Sequence, residues 1–284
     1  MSDCPGRVTG SRRLRKILAR KVAKQVACVV EMMHNAGFVH GDLTTSNVLF
    51  RVAGNVQDWS DREVYLNFGQ PETEKIATCD RSPPGPHAPV ELVAPIEGAY
   101  LTNSAILQED VLLIDFGQAF SISRPPKARF EGKIGLPSDI WSLACMIFEI
   151  RAGFPLFEAF LGGDDEVLKE IVATLGKLPE PWWNAFENRH CWFDENGTVK
   201  ASELQQTMLP AEKTSIRQKL ASIGAQDEPP VTGSDGPMME PLGSRLDNTE
   251  IQLLGDLLEK MLRYRPQDRI TMGEVVAHPW FALE

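Results

Sequence analysis

Residues 37–50 read GFVHGDLTTSNVLF, and they set one carboxylate, Asp42, five positions ahead of one carboxamide, Asn47. Upstream, Leu14, Ile17, Leu18, Val22, Val26, Val29, Val30 and Met33 recur at three- and four-residue spacing, which predicts one face of an amphipathic helix. Gly37 is placed to stop that helix. Downstream, residues 48–52 predict a short apolar strand. The polar pair therefore sits on a short loop between two ordered elements, where reactive groups are commonly displayed. An aspartate can accept the proton of an attacking hydroxyl, and a carboxamide oxygen can ligate magnesium. A second carboxylate, Asp115, closes the apolar run 111–114 in LLIDFGQAF, where Gly117 lets the backbone turn and aims the side chain outward. A positioned proton acceptor with oxygen ligands for a metal is the equipment of phosphoryl transfer.

Farther along, Ser138 and Asp139 read as the N-cap of a helix over 140–151, ended by Gly153. That helix is apolar on nearly every side, so it belongs at the centre of a domain. Further helices are predicted at 165–175, 248–262 and 272–277. The segment SPPGPHAP at 82–89 can be neither helix nor central strand, so residues 53–110 read as an irregular surface insertion. Residues 205–247, rich in Gln, Ser, Gly, Pro and charge, read as a flexible insertion.

Bulk properties narrow the class. At 284 residues and 43% hydrophobic content the chain can bury a sizeable core. Its longest apolar stretch, 140–150, contains Ser142 and Glu149 and is too short to cross a bilayer. No secretory signal is visible. The five cysteines are scattered without a CxxC pair, which argues against a disulfide framework or zinc site and for a reducing compartment, the cytoplasm and/or nucleus. The net charge of −10 is uneven: residues 1–24 hold eight Lys or Arg against one acid, so the remainder carries −17. An acidic body is unsuited to direct nucleic-acid binding and suits a basic partner. The basic face of the first helix mimics an Arg-rich transit peptide, but that helix runs directly into the 37–50 motif and its core.

HGDLTTSN resembles the H-R-D-L-x-x-x-N catalytic loop of eukaryotic protein kinases, and the family's DFG stands unchanged at 115–117. SDIWSLACMIFEIRAGFPLF is similar to the buried central helix of the kinase C-terminal lobe, and LLEKMLRYRPQDRITMGEVVAHPWF to its closing helices. The resemblance implies Asp42 as catalytic base, Asn47 and Asp115 as magnesium ligands, and Leu49 in the floor under the adenine of ATP. It also implies that Asp139 braces the catalytic-loop backbone and that Arg269 is the family's buried arginine. The long spacing between Asn47 and Asp115, with YLNFGQPETE, PPGPHAPV, LGKLPEPWW and WFDENG, resembles fungal members of the SR-protein kinase group. Those kinases phosphorylate serines of Arg/Ser-rich proteins, so the implied partner is a basic protein substrate, with no membrane or direct nucleic-acid role.

The chain departs from the pattern in four places. No G-x-G-x-x-G loop and no V-A-I-K lysine occur in the 284 residues, and only residues 1–11 precede the helix expected at 12–35. The expected fold is therefore mainly α, a kinase C-terminal lobe over 1–284 with a few short strands and no N-terminal lobe. Residues 118–138 hold no A-P-E, so Arg269 is expected to lack its glutamate, a loss of roughly 3–5 kcal/mol unless Glu131 substitutes. Gly41 stands where the family usually has arginine, implying freedom from a phosphorylation latch. Thr44 stands where many Ser/Thr kinases carry lysine. Two alternatives stay open: a catalytically inactive kinase-fold binding module or truncated gene product, and a small-molecule phosphotransferase whose loop reads H-G-D-x-x-x-x-N.

Overall fold

The structure is a computed structural model that describes residues 13–80, 82–94, 106–123, 134–158, 163–205, 207, 209–225, 227 and 238–283. Helix α1, Lys16–Asn35, buries Leu18, Ala19, Val22, Ala23, Val26, Ala27 and Val30, while Ile17 and Val29 of the face its spacing predicts are exposed. It ends at Ala36, followed by Gly37 in the left-handed region at φ +79°. Among the described residues six strands follow: β1 (Phe38–Val39), β2 (Val48–Val52), β3 (Thr73–Lys75), β4 (Glu91–Val93), β5 (Leu107–Leu113) and β6 (Phe120–Ser121). They form three antiparallel pairs, β1 with β6, β2 with β5 and β3 with β4. Helix α2, Asp61–Phe68, lies between β2 and β3 behind a capping box of Ser60 and Glu63.

These strands correct the expected architecture. A mainly α lobe with its N-terminal lobe absent is not what the chain forms; a strand-rich region occupies 38–121, ahead of most of the helices. The strands expected at 48–52 and 111–114 are found in β2 and β5, whereas β1, β3, β4 and β6 are unexpected. These four span only two or three residues, too short to show the alternation that marks a strand in sequence. Residues 107–110, assigned by sequence to the irregular insertion, are the first half of β5. The outer edge of β5 is occupied by Gln25 of α1, whose Nε2 donates to the Glu109 carbonyl at 3.0 Å and whose Oε1 accepts from the Val111 amide at 3.1 Å. One side-chain amide thus satisfies backbone groups that would otherwise lie open on an edge strand.

The helical body is α3 (Leu136–Ala152), α4 (Asp164–Leu175), α5 (Trp182–Ala185), α6 (Ile216–Ser222), α7 (Asn248–Met261) and α8 (Met272–Val276). α3 begins four residues earlier than its sequence suggests. Pro137 lies in its first turn, where a missing N–H costs nothing. Ser138 and Asp139 are therefore inside the helix, and neither caps it. Leu143, Ile147 and Phe148 of α3 are fully buried against α1 and α7. Arg151 joins α3 to α7 through two hydrogen bonds to the buried Glu250, Nε at 2.8 Å and Nη2 at 3.1 Å. A second cluster, with Trp183, Phe186, Trp192 and Phe193, packs against α4.

Candidate active site

Two strand ladders hold one loop against one turn. In the first, Phe38 faces Ser121 and Val39 faces Phe120. In the second, Val48 faces Leu113 and Leu49 faces Leu112. Residues 40–47 span the first strands of both ladders, and residues 114–119 span their partners, so the loop and the turn are fastened at both ends.

The loop is also fastened from below. Asp139 of α3, 1% exposed, accepts from the His40 amide at 2.8 Å through Oδ2 and from the Gly41 amide at 3.0 Å through Oδ1. Its Oδ2 also meets His34 Nε2 at 2.9 Å. Three donors offset the cost of burying this carboxylate. His40 is fully buried; its Nε2 donates to the Ile114 carbonyl at 3.1 Å and its Nδ1 accepts from the Asp42 amide at 3.3 Å. That pair of partners fixes the tautomer with the ring proton on Nε2. The imidazole therefore bridges the loop to the turn, with its ring 5.2 Å from that of Phe116.

Asp42 is half-buried. Asn47 Nδ2 donates to its backbone carbonyl at 2.9 Å and to its carboxylate Oδ2 at 3.3 Å. The amide group is thereby used internally, and the Asn47 Oδ1 makes no hydrogen bond among the described residues. The Ile114 amide donates to the Asn47 carbonyl at 2.9 Å, which extends the β2–β5 ladder and brings Asp115 just past Asn47. Asp115 is exposed and has φ +61°, the left-handed region, the sole such non-glycine among the described residues. Backbone strain of this kind gathers at functional positions. Its carboxylate accepts from the Gly117 amide at 3.2 Å, and a Cβ on Gly117 would stand 3.0 Å from Asp115 Oδ1. Leu49 and Leu112, 39% and 40% exposed, face each other on the open side of β2–β5 and form a small apolar surface. The structure thus brings Asp42, Asn47, Asp115 and Leu49 to one region.

Sequence reasoning missed His34 and Gln118. His34 carried a weak signal, as the basic residue in the last turn of α1. Gln118 carried none; its carbonyl is placed against Gly41 only by the ladder. The expectation for Arg269 is also corrected. Instead of standing unpaired, it donates to the carbonyls of Arg263 (2.7 Å), Pro137 (2.6 Å) and Tyr264 (3.2 Å), with its guanidinium 5.0 Å from the Trp141 ring centre. Carbonyls and an aromatic face do the work expected of a glutamate. Burial lowers its pKa to about 10, so it remains charged at neutral pH. Glu131, the proposed substitute, lies outside the described residues.

The chain is similar to known protein kinases over much of its length. The protein kinase domain model matches residues 105–281, a span that includes β5 and β6 as well as α3 to α8. With the strands upstream of it, that match leaves no support for an absent N-terminal lobe. The dual specificity protein kinase CLK2 of Homo sapiens is 24% identical over 282 residues, covering 93% of this chain and 43% of its own length. The human dual specificity protein kinase CLK1 is 23% identical over 276 residues, 93% of this chain and 44% of its own length. The dual specificity tyrosine-phosphorylation-regulated kinase mbk-2 of Caenorhabditis elegans is 25% identical over 159 residues, 55% of this chain and 18% of its own length. The chain spans less than half the length of these relatives. Since the family model covers well over half of its residues, the chain belongs to the protein kinase family.

Proposed function

We propose that this chain is a Ser/Thr protein kinase of the SR-protein-kinase type, transferring the γ-phosphate of ATP to serines in basic, Arg/Ser-rich protein segments. The observation that carries the reading is the fastening of Asp42 and Asn47 in one loop, with Asp115 brought beside them by the β2–β5 ladder. Asp42 accepts the proton of the substrate hydroxyl. Protein kinases use ATP with magnesium, and the oxygen donors here suit that ion. The Asn47 Oδ1 makes no hydrogen bond among the described residues, and the Asp115 carboxylate is exposed. No group of three or more His, Cys, Asp or Glu able to hold a metal occurs among the described residues. Magnesium needs no such cage, because it is commonly bound by one or two protein oxygens, phosphates and water. When bound, it neutralises charge on the phosphates. Leu49, with Leu112 opposite, offers the apolar surface on which an adenine ring would rest.

Charge supports the substrate class. Residues 25–284 carry −17. A cleft of about 850 Å³ beside α4 and α6 is lined by five carboxylates, of which Asp227 is paired with Arg13 and Glu170 with Lys169 and Lys219, so its acidic excess is modest. An acidic body attracts arginine-rich segments. The scattered cysteines without a CxxC pair are the ground for proposing a cytoplasmic and/or nuclear setting. An inactive kinase-fold binding module is the second reading, favoured by the Thr44 hydroxyl at a position where many Ser/Thr kinases carry a cation. One assay separates the two: the purified chain, labelled ATP, magnesium and an Arg/Ser-rich peptide, beside acidic and tyrosine-only peptides. Transfer to the basic peptide that is lost in Asp42→Asn supports the kinase reading. No transfer at any peptide supports the binding module.

A further inference from the structure

The β1–β6 register pairs residues 38 with 121 and 39 with 120. Continued by two steps, it sets Gly41 opposite Gln118. At that point the two backbones come closer than a side chain permits. Gly41 has φ +81°, and a Cβ built there would lie 2.6 Å from the Gln118 carbonyl oxygen and 3.4 Å from its carbonyl carbon. The first distance is well inside the roughly 3.5 Å at which non-bonded heavy atoms pack. The obstacle is backbone, so no rotamer change relieves it. Gly41 cannot retreat either, because its amide is held by the buried Asp139 at 3.0 Å.

We propose that Gly41 is a positioning residue: its missing side chain lets the Asp115 turn seat directly on the catalytic loop through the Gln118 backbone, which sets the separation of Asp42 from Asp115. Gly41 adjoins Asp42, and Gln118 is three residues past Asp115, so any wedge between them is transmitted to both carboxylates. A shift of about 1 Å in such groups can cost about a hundredfold in rate. The inference rests on the kinase reading for its catalytic consequence, while the seating of the turn stands on the geometry alone.

The neighbouring Gly37 supplies a matched control. It has φ +79°, but a Cβ there would meet only the Ile122 side chain at 3.8 Å. Gly37→Ala and Gly41→Ala therefore carry the same backbone penalty, and only Gly41→Ala drives a wedge. Amide hydrogen exchange over 115–121 is measured in wild type and both variants, with kcat, peptide KM and the magnesium midpoint of transfer. The expected result is faster exchange over 115–121 in Gly41→Ala alone. Its kcat should fall tenfold to a hundredfold and its magnesium midpoint should rise, with peptide KM nearly constant. Equal exchange and equal kinetics in the two variants would overturn the proposal. Wild type without transfer defeats the kinase reading; exchange then still decides the seating, which is overturned if Gly41→Ala and Gly37→Ala match. If Gly41→Ala fails to fold, Gly41→Asn, which tolerates positive φ better, takes its place with the same expectation.

Discussion

Replacing Asp139 with asparagine should uncouple the catalytic loop from the helical body. The carboxylate is 1% exposed and accepts three hydrogen bonds, from the His40 and Gly41 amides and from His34. An asparagine keeps one acceptor oxygen. If that oxygen takes the Oδ2 position, the new NH2 faces the Gly41 N–H, donor against donor; if it takes the Oδ1 position, two bonds are lost. Hydrogen bonds to charged groups contribute about 1.5–3 kcal/mol each, so the milder arrangement costs about 2–4 kcal/mol. At about 2–4 °C per kcal/mol for a chain of this size, the melting midpoint should fall by roughly 4–16 °C. His34→Ala removes one of the three donors and should cost less. Because both changes act on one carboxylate, the double variant should be less destabilised than the sum, with a coupling of about 0.5–3 kcal/mol. Urea unfolding of the four proteins measures the cycle. Additive effects, or an Asp139→Asn loss within the ±0.5 kcal/mol typical of surface changes, would refute the clamp. Under the proposed kinase function, the same variant should also slow phosphoryl transfer, since the loop that carries Asp42 loses its fixed seat.

Arg151→Met leaves the buried Glu250 without its bidentate partner and should cost about 3–5 kcal/mol, whereas Arg151→Met with Glu250→Leu should recover most of it; equilibrium unfolding decides, and equal losses in both would refute the pairing. Asp256 has its pKa lowered by hydrogen bonds from Lys260 and His278. A carboxyl depressed in the folded state adds stability above its unfolded pKa, about 3.9, and loses it as pH falls through the lower folded value. Asp256→Asn should therefore be less stable than wild type at pH 7 and converge with it as pH falls below that unfolded value, as read from unfolding midpoints along an acid series; a gap that persists in acid would show another cause.

Much of this protein could be read from one line of letters because the signals are local. The three- and four-residue spacing in 14–33 identifies most of the buried face of α1, Ile17 and Val29 excepted, since helical geometry turns spacing directly into a face. Asp42, Asn47 and Asp115 were legible as residue types suited to hydroxyl activation and metal binding, and their neighbourhood matched a kinase loop. The misread parts share a different cause. Strands of two and three residues such as β1, β3, β4 and β6 have no periodicity to detect, and each exists only because a partner strand, as many as 83 residues away for β1 and β6, supplies its hydrogen bonds. Asp139 was misread as a cap by local chemistry, although the family resemblance already implied its brace on the loop; α3 starts earlier at Leu136, and the carboxylate holds His40 and Gly41. Arg269 looked orphaned because a missing glutamate is visible in a sequence, whereas three backbone carbonyls that converge on it are not. The residues equipped for the chemistry were thus decided by the sequence, through properties each side chain carries with it. How far Asp42 stands from Asp115 was decided by the register of two ladders and by the contact of Gly41 with Gln118, because distance between remote segments arises only once the chain has packed.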